Sequence, residues 1–167
     1  MPAGQHSWQT LTFLAFLAFA MAAVCFLNLD PRRGITAETA LVEANGKVAW
    51  VQEHRYGTRF GLVGFEARFD YPSKANRTEA VRRALNNAGD ELVSIRYESD
   101  THGPLYSNDR YHDVWEITIG GRTIRTYAET AAAWESDNRI VPWLGAAMTL
   151  CGIVMGFVAR KARRPAQ

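Results

Sequence analysis

The chain has 167 residues and a formal net charge of +2, with a slightly negative mean hydropathy of −0.20. That length holds one domain plus membrane segments. Charge is absent from residues 8–29 and 141–159, and the stretch between them carries 15 basic against 17 acidic residues. With no surplus of positive charge to neutralise phosphates, that stretch excludes a nucleic-acid-binding protein.

Residues 11–29 read LTFLAFLAFAMAAVCFLNL, long and apolar enough to predict a membrane helix over residues 8–29. The rival reading is a cleaved signal peptide. The segment before the run has no Lys or Arg and the run exceeds a usual signal core, so an uncleaved helix is expected. Ala15, Ala18 and Ala22 share one face and allow close helix packing.

Asp30-Pro31-Arg32-Arg33-Gly34 ends that helix, and residues 30–139 form the soluble domain. Residues 35–45 are ambiguous between helix and strand. Residues 47–53 (KVAWVQE) predict a strand with Val48 and Trp50 on one face. Residues 60–71 (FGLVGFEARFDY) predict a second, continuous strand with Val63, Phe65, Ala67 and Phe69 on its buried face. Gly61 and Gly64 within it mark a bulge or close packing. A helix over residues 76–88 follows, with Val81, Ala84, Leu85 and Ala88 inward. Asn76 caps it and Glu79 completes a capping box. The triplet Asn76-Arg77-Thr78 is also a glycosylation acceptor pattern, which a capping Asn explains without a glycan.

Residues 92–98 predict a strand with Val93, Ile95 and Tyr97 inward. Residues 112–119 and 122–128 predict a hairpin around Gly120-Gly121. Its expected register pairs Ile119 with Arg122, Thr118 with Thr123, Ile117 with Ile124, Glu116 with Arg125 and Trp115 with Thr126. Residues 129–138 predict a short amphipathic helix at a membrane surface, with Trp134 and Trp143 at the interface. The expected domain is α+β: a small antiparallel sheet in the order ββαβββ with one helix packed on it.

The polar connection at residues 99–111 and its neighbours collect Glu98, Asp100, His102, Asp109, His112 and Asp113. His102, Asp109 and His112 are the candidate binding residues, since His with carboxylates serves acid–base work or metal ligation. The spacing matches no zinc motif, so no metal ligand is assigned. Ser94, Ser99 and Ser107 lack a Gly-x-Ser-x-Gly setting, and Gly61 and Gly64 lack the Lys and helix start of a phosphate loop. No catalytic residue and no cofactor is assigned.

Residues 140–159 predict a second membrane helix, and residues 160–167 a basic tail with Arg160, Lys161, Arg163 and Arg164. The positive-inside rule then puts both termini in the cytoplasm and the domain outside, although Arg32 and Arg33 argue the other way. Gly152 and Gly156 form a Gly-x-x-x-Gly pair that packs on Ala18 and Ala22 or on another chain. Cys25 and Cys151 would sit roughly 7 Å apart in depth on antiparallel spans. A disulfide needs Cα atoms within about 7 Å in total, so both read as small apolar residues.

The opening strand Gly46-Lys47-Val48-Ala49-Trp50-Val51, and Val93-Ser94-Ile95-Arg96-Tyr97 ahead of Pro104, resemble small bacterial two-helix membrane proteins of unknown function with a β-rich domain between the helices. The 76–88 helix departs from that pattern. The resemblance implies a multi-pass bacterial inner-membrane protein and no particular activity. The expected function is a membrane-anchored binding or accessory module of the cell envelope. Its expected partners are the lipid bilayer and an envelope protein or a second copy. The alternatives are a membrane-anchored hydrolase using residues 98–113 and a subunit that oligomerises through its helices.

Overall fold

The structure, a computed structural model, describes residues 4–103 and 108–163. Two compact units divide the chain: residues 34–135, and residues 1–33 with 136–167.

The first unit is a seven-stranded mixed sheet with helix α2 on one face. Its strands are β1 (Val42–Gly46), β2 (Val48–His54), β3 (Gly57–Leu62), β4 (Arg68–Pro72), β5 (Val93–His102), β6 (Tyr111–Ile119) and β7 (Arg122–Arg125), and α2 spans Thr78–Asn86. The sheet order is β1-β5-β6-β4-β3-β2, with β7 also on β6. Strands β4 and β6 run parallel, with Phe69 opposite His112 and Asp70 opposite Asp113. All other neighbours are antiparallel. The sheet is therefore mixed rather than antiparallel, and its order is ββββαβββ rather than ββαβββ. The ambiguous 35–45 segment supplies a strand at its end.

The fourth strand arises because the predicted 60–71 strand folds back on itself. Gly64 adopts φ +86°, a left-handed conformation that glycine enters without steric cost. Phe65 N–H donates to Leu62 O at 3.2 Å to close the turn. β3 and β4 then pair with each other, Phe60 opposite Phe69. This changes part of the expected burial: Phe69 is buried as expected and Ala67 packs against the core, but Phe60, Leu62 and Tyr71 are buried too, while Val63 and Phe65 are exposed. Gly61 does serve close packing, since an added Cβ would lie 2.3 Å from Trp50 Nε1.

Two further bulges shift parity. One between Val48 and Trp50 leaves Val48 and Val51 against the core and Trp50 exposed on the other side. The other lies between Ile117 and Thr118, after the expected pairs Ile119–Arg122 and Thr118–Thr123, and sets Ile117 opposite Arg125. A bulge rotates the side chains that follow it. Arg125 turns inward to 5 % exposure. It donates from Nε to Tyr71 Oη at 3.1 Å and from Nη2 to Ala75 O at 2.9 Å and Glu129 O at 3.1 Å. Glu116, freed from the expected pair, lies 3.5 Å from Arg96.

Helix α2 buries Val81 and Leu85 and begins two residues later than expected. A 3-10 turn at Ser73–Ala75 precedes it, and Tyr71 Oη donates toward Ala75 O and Asn76 O at 3.1 and 2.9 Å. Held there, Asn76 and Arg77 take φ +62° and +52°, and Asn76 Oδ1 accepts from Arg77 N–H at 2.7 Å instead of capping. Glu79 pairs with Arg82 and Arg83 rather than closing a capping box. Helix α3 (Tyr127–Asn138) carries Trp134, whose ring stacks 5.1 Å from buried Trp115 beneath Lys74 Nζ at 4.6 Å. Trp134 is thus a packing residue of the domain.

The second unit pairs α1 (Gly4–Phe26) with α4 (Val141–Arg163), each of 23 residues. At 1.5 Å per residue each is about 35 Å long. Both are long and apolar enough to cross a membrane. Asn138 Nδ2 donates to Pro31 O at 2.8 Å and Arg33 O at 3.0 Å, tying the two chain segments where the helices end and begin. Ala15, Ala18, Ala22 and Cys25 are buried on α1, and Gly145, Gly152 and Ala159 on α4. The seven-residue spacing on α4 keeps small side chains on one seam, so the backbones approach closely. A Cβ added at Gly145 would meet Cys25 Cβ at 3.0 Å, and one at Gly152 the Phe19 ring at 3.0 Å. Cys25 and Cys151 are free thiols.

Neighbouring substitutions separate this strand break from a continuous strand. Leu62→Ala is expected to cost about 2–5 kcal/mol, as for a buried truncation, and Val63→Ala under about 0.5 kcal/mol. Urea unfolding of the full chain followed by tryptophan fluorescence reads both. The reverse order would restore the single strand.

Candidate functional site

Strand alternation puts Phe69 and Tyr71 in the core, and so turns Asp70 between them to the opposite face of the sheet. Asp70 is nonetheless only 3 % exposed. Its Oδ1 lies 3.1 Å from His54 Nε2 and its Oδ2 3.8 Å from Arg59 Nε. Arg59 sits opposite Asp70 across the β3–β4 ladder, and its guanidinium stacks 4.0 Å over the centroid of the Tyr111 ring. The parallel ladder sets Asp113 beside Asp70. His102, opposite Tyr111 on β5, brings Nε2 within 2.8 Å of Asp113 Oδ1. Two carboxylates from adjacent strands thus sit side by side, Asp113 held by His102 from neighbouring β5 and Asp70 by His54 from β2, one strand beyond β3. A stacked guanidinium stands beside them.

The electrostatics follow from that crowding. Burial pushes the Asp113 carboxyl above its ordinary range; the charges of Asp70 and Glu98 add to the rise, and His102 opposes it. Like charges close together resist joint ionisation, so Asp113 holds its proton more tightly than a free carboxylate. Arg59 Nε is buried and makes no hydrogen bond among the described residues. A buried unsatisfied donor is costly and asks for an explanation in function. The arrangement suits proton exchange between Asp113 and His102, or the binding of a small polar group beside Arg59. Among the described residues, no group of three or more His, Cys, Asp or Glu is placed to hold a metal ion.

The three candidate binding residues lie apart. His102 belongs to the cluster. His112 occupies the next position but one to Arg110 and faces the core side: its ring lies 6.2 Å from Phe69 and 5.1 Å from Tyr97, and Nδ1 donates to Glu98 O at 2.9 Å. Asp109 pairs with Arg68 at the half-exposed surface. Ser107 and Pro104 lie outside the described residues. Of the packing residues, Ala18, Ala22 and Gly152 are in the helix seam. Gly156 is open, with nothing within 4 Å of an added Cβ.

His54, Arg59, Asp70 and Tyr111 join His102 and Asp113 only through strand pairing. Residues 54 and 59 fall between the strands expected at 47–53 and 60–71, and Asp70 on the polar face of the second. The available signal was parity: once β3 and β4 are separated, Arg59 and Asp70 fall on one face.

The sign of the Asp113 shift gives a test. Because the folded chain binds this proton more tightly than the unfolded chain, the group favours folding most at low pH. That contribution is lost as pH rises from the ordinary carboxylate value through the raised folded one. Asp113→Asn removes the dependence. It is expected to raise stability at pH 7 by about 0.5–2 kcal/mol, with the gap to wild type closing as pH falls below the ordinary carboxylate range. Denaturant titrations across pH read this; a variant less stable at pH 7 contradicts it.

Comparison with protein-family models, with curated proteins and with solved structures found no match to this chain.

Proposed function

We propose that the chain is a membrane-anchored binding module of the bacterial cell envelope. In this reading α1 and α4 cross the inner membrane as a hairpin, both termini are cytoplasmic, and the domain of residues 34–135 meets its partner outside. The antiparallel small-residue seam and the four basic residues that follow α4's apolar run support the anchoring.

The observation that carries binding is the open corner at β2. Among the described residues this outer strand pairs on one side only, with β3. Beside it Trp50, Val63 and Phe65 are 38 %, 59 % and 40 % exposed. They share a corner: Trp50 lies over Gly61, while an added Cβ at Gly46 would meet both Val63 O and Phe65. A strand with one open edge, flanked by exposed large apolar side chains, is the surface on which an extended partner segment adds by backbone hydrogen bonds.

A second reading has its own observation. Asp113, with its raised proton affinity, touches His102 beside Asp70 and Arg59, an arrangement that supports a membrane-anchored hydrolase with acid–base chemistry. His112 takes no part in it.

A reporter fused after residue 164 is expected to be active in the cytoplasm. A photo-cross-linker at Trp50 or Val63 is expected to give discrete products in intact cells, and one at Asn86 on the exposed side of α2 none. A signal from an external reporter would invert the orientation, and no edge-specific product would remove the binding reading. The hydrolase reading requires turnover of an ester or phosphoester substrate that His102→Ala abolishes.

A further inference from the structure

The helix pair carries a groove that its own seam does not fill. Phe19 of α1 and Gly152, Ile153, Gly156, Phe157 and Arg160 of α4 line an open, mostly apolar cavity of about 280 Å³. On α4 these positions form one face. The floor is glycine: Phe19 packs on Gly152, while an added Cβ at Gly156 meets nothing within 4 Å. Phe157, exposed at 69 %, forms the other wall. One helical turn beyond Gly156, about 6 Å along the axis, stands Arg160. Arg160 is exposed and makes no hydrogen bond or ion pair among the described residues. By contrast Arg163, at the same end, is engaged over the Trp8 ring at 5.3 Å.

We propose that this groove binds an anionic phospholipid, with one acyl chain against Gly156 between Phe19 and Phe157 and the phosphate on Arg160. The inference rests on the membrane-spanning reading. Charge decides against a second copy of the chain as occupant. Two copies in one membrane share an orientation, so a symmetric contact through this groove would bring Arg160, Lys161 and Arg163 of both together at the same depth. Like charges there oppose that contact, whereas a phosphate neutralises it. The slot between two aromatic walls also suits a single hydrocarbon chain better than a helix about 10 Å across. Trp8 beside Arg163 fits the same level, since Trp and basic residues gather where acyl chains meet headgroups.

The test uses the full chain purified in a non-ionic detergent, titrated with phosphatidylglycerol or phosphatidylcholine and read by native mass spectrometry. Wild type is expected to bind phosphatidylglycerol roughly fivefold more tightly than phosphatidylcholine, the scale of one basic contact. Arg160→Gln is expected to abolish that preference, and Lys161→Gln, which does not line the groove, to keep it. Gly156→Leu fills the floor and is expected to reduce retention of both lipids. Equal affinity for the two lipids, a preference unchanged in Arg160→Gln, or a lipid-free dimer that Gly156→Leu disrupts would each overturn the proposal. Alkaline carbonate extraction of cell membranes separates its failure from that of the anchoring: release into the soluble fraction defeats both, and retention with no lipid preference defeats this inference alone.

Discussion

The parallel pairing of β4 with β6 is the constraint on which the domain depends. It is short, Phe69 opposite His112 and Asp70 opposite Asp113, yet it joins the β2–β3–β4 meander to the β1–β5–β6–β7 part of the sheet. On one face it brings Phe69 against Tyr97, with ring centroids 5.1 Å apart, and so completes a core shared by both halves. On the other face it forces two carboxylates together. One pairing therefore generates the stabilising contact and the electrostatic strain at once.

That strain is contained rather than removed. His54 and His102 each satisfy one carboxylate, and Arg59 lies near Asp70 while its plane stacks on Tyr111. Arg125, a buried cation, is treated differently. Its donors reach Tyr71 Oη and the carbonyls of Ala75 and Glu129, which pins the 3-10 turn before α2. Arg125 thus has a structural role that its hydrogen bonds account for. The Asp70–Asp113 cluster keeps an unsatisfied donor at Arg59 and a carboxyl with raised proton affinity.

Local pattern made some of this legible. The apolar lengths of α1 and α4, the Val81/Leu85 face of α2, the inward Val93 and Ile95, and the Gly120-Gly121 turn all depend on residues close in sequence. Strand burial failed for one physical reason: strand parity is read by counting, and each bulge or turn resets the count. The bulge after Val48 moved Trp50 outward. The turn at Gly64 exposed Val63 and Phe65, and the bulge after Ile117 sent Arg125 inward. For the site, His102 and Asp113 stood out as polar residues around one connection. Their neighbours Asp70, His54 and Arg59 come from strands 30 or more residues away, joined by a parallel contact that no local period encodes.

The direct measurement is nuclear Overhauser spectroscopy on the deuterated, amide-protonated full chain in micelles, across the β4–β6 ladder. Contacts between the backbone amides of residues 69–71 and 112–114, in the evenly spaced parallel pattern, are the result expected. If β4 shows cross-strand contacts only to β3, the two halves of the sheet are not joined there, and both the shared core and the carboxylate cluster lose their basis.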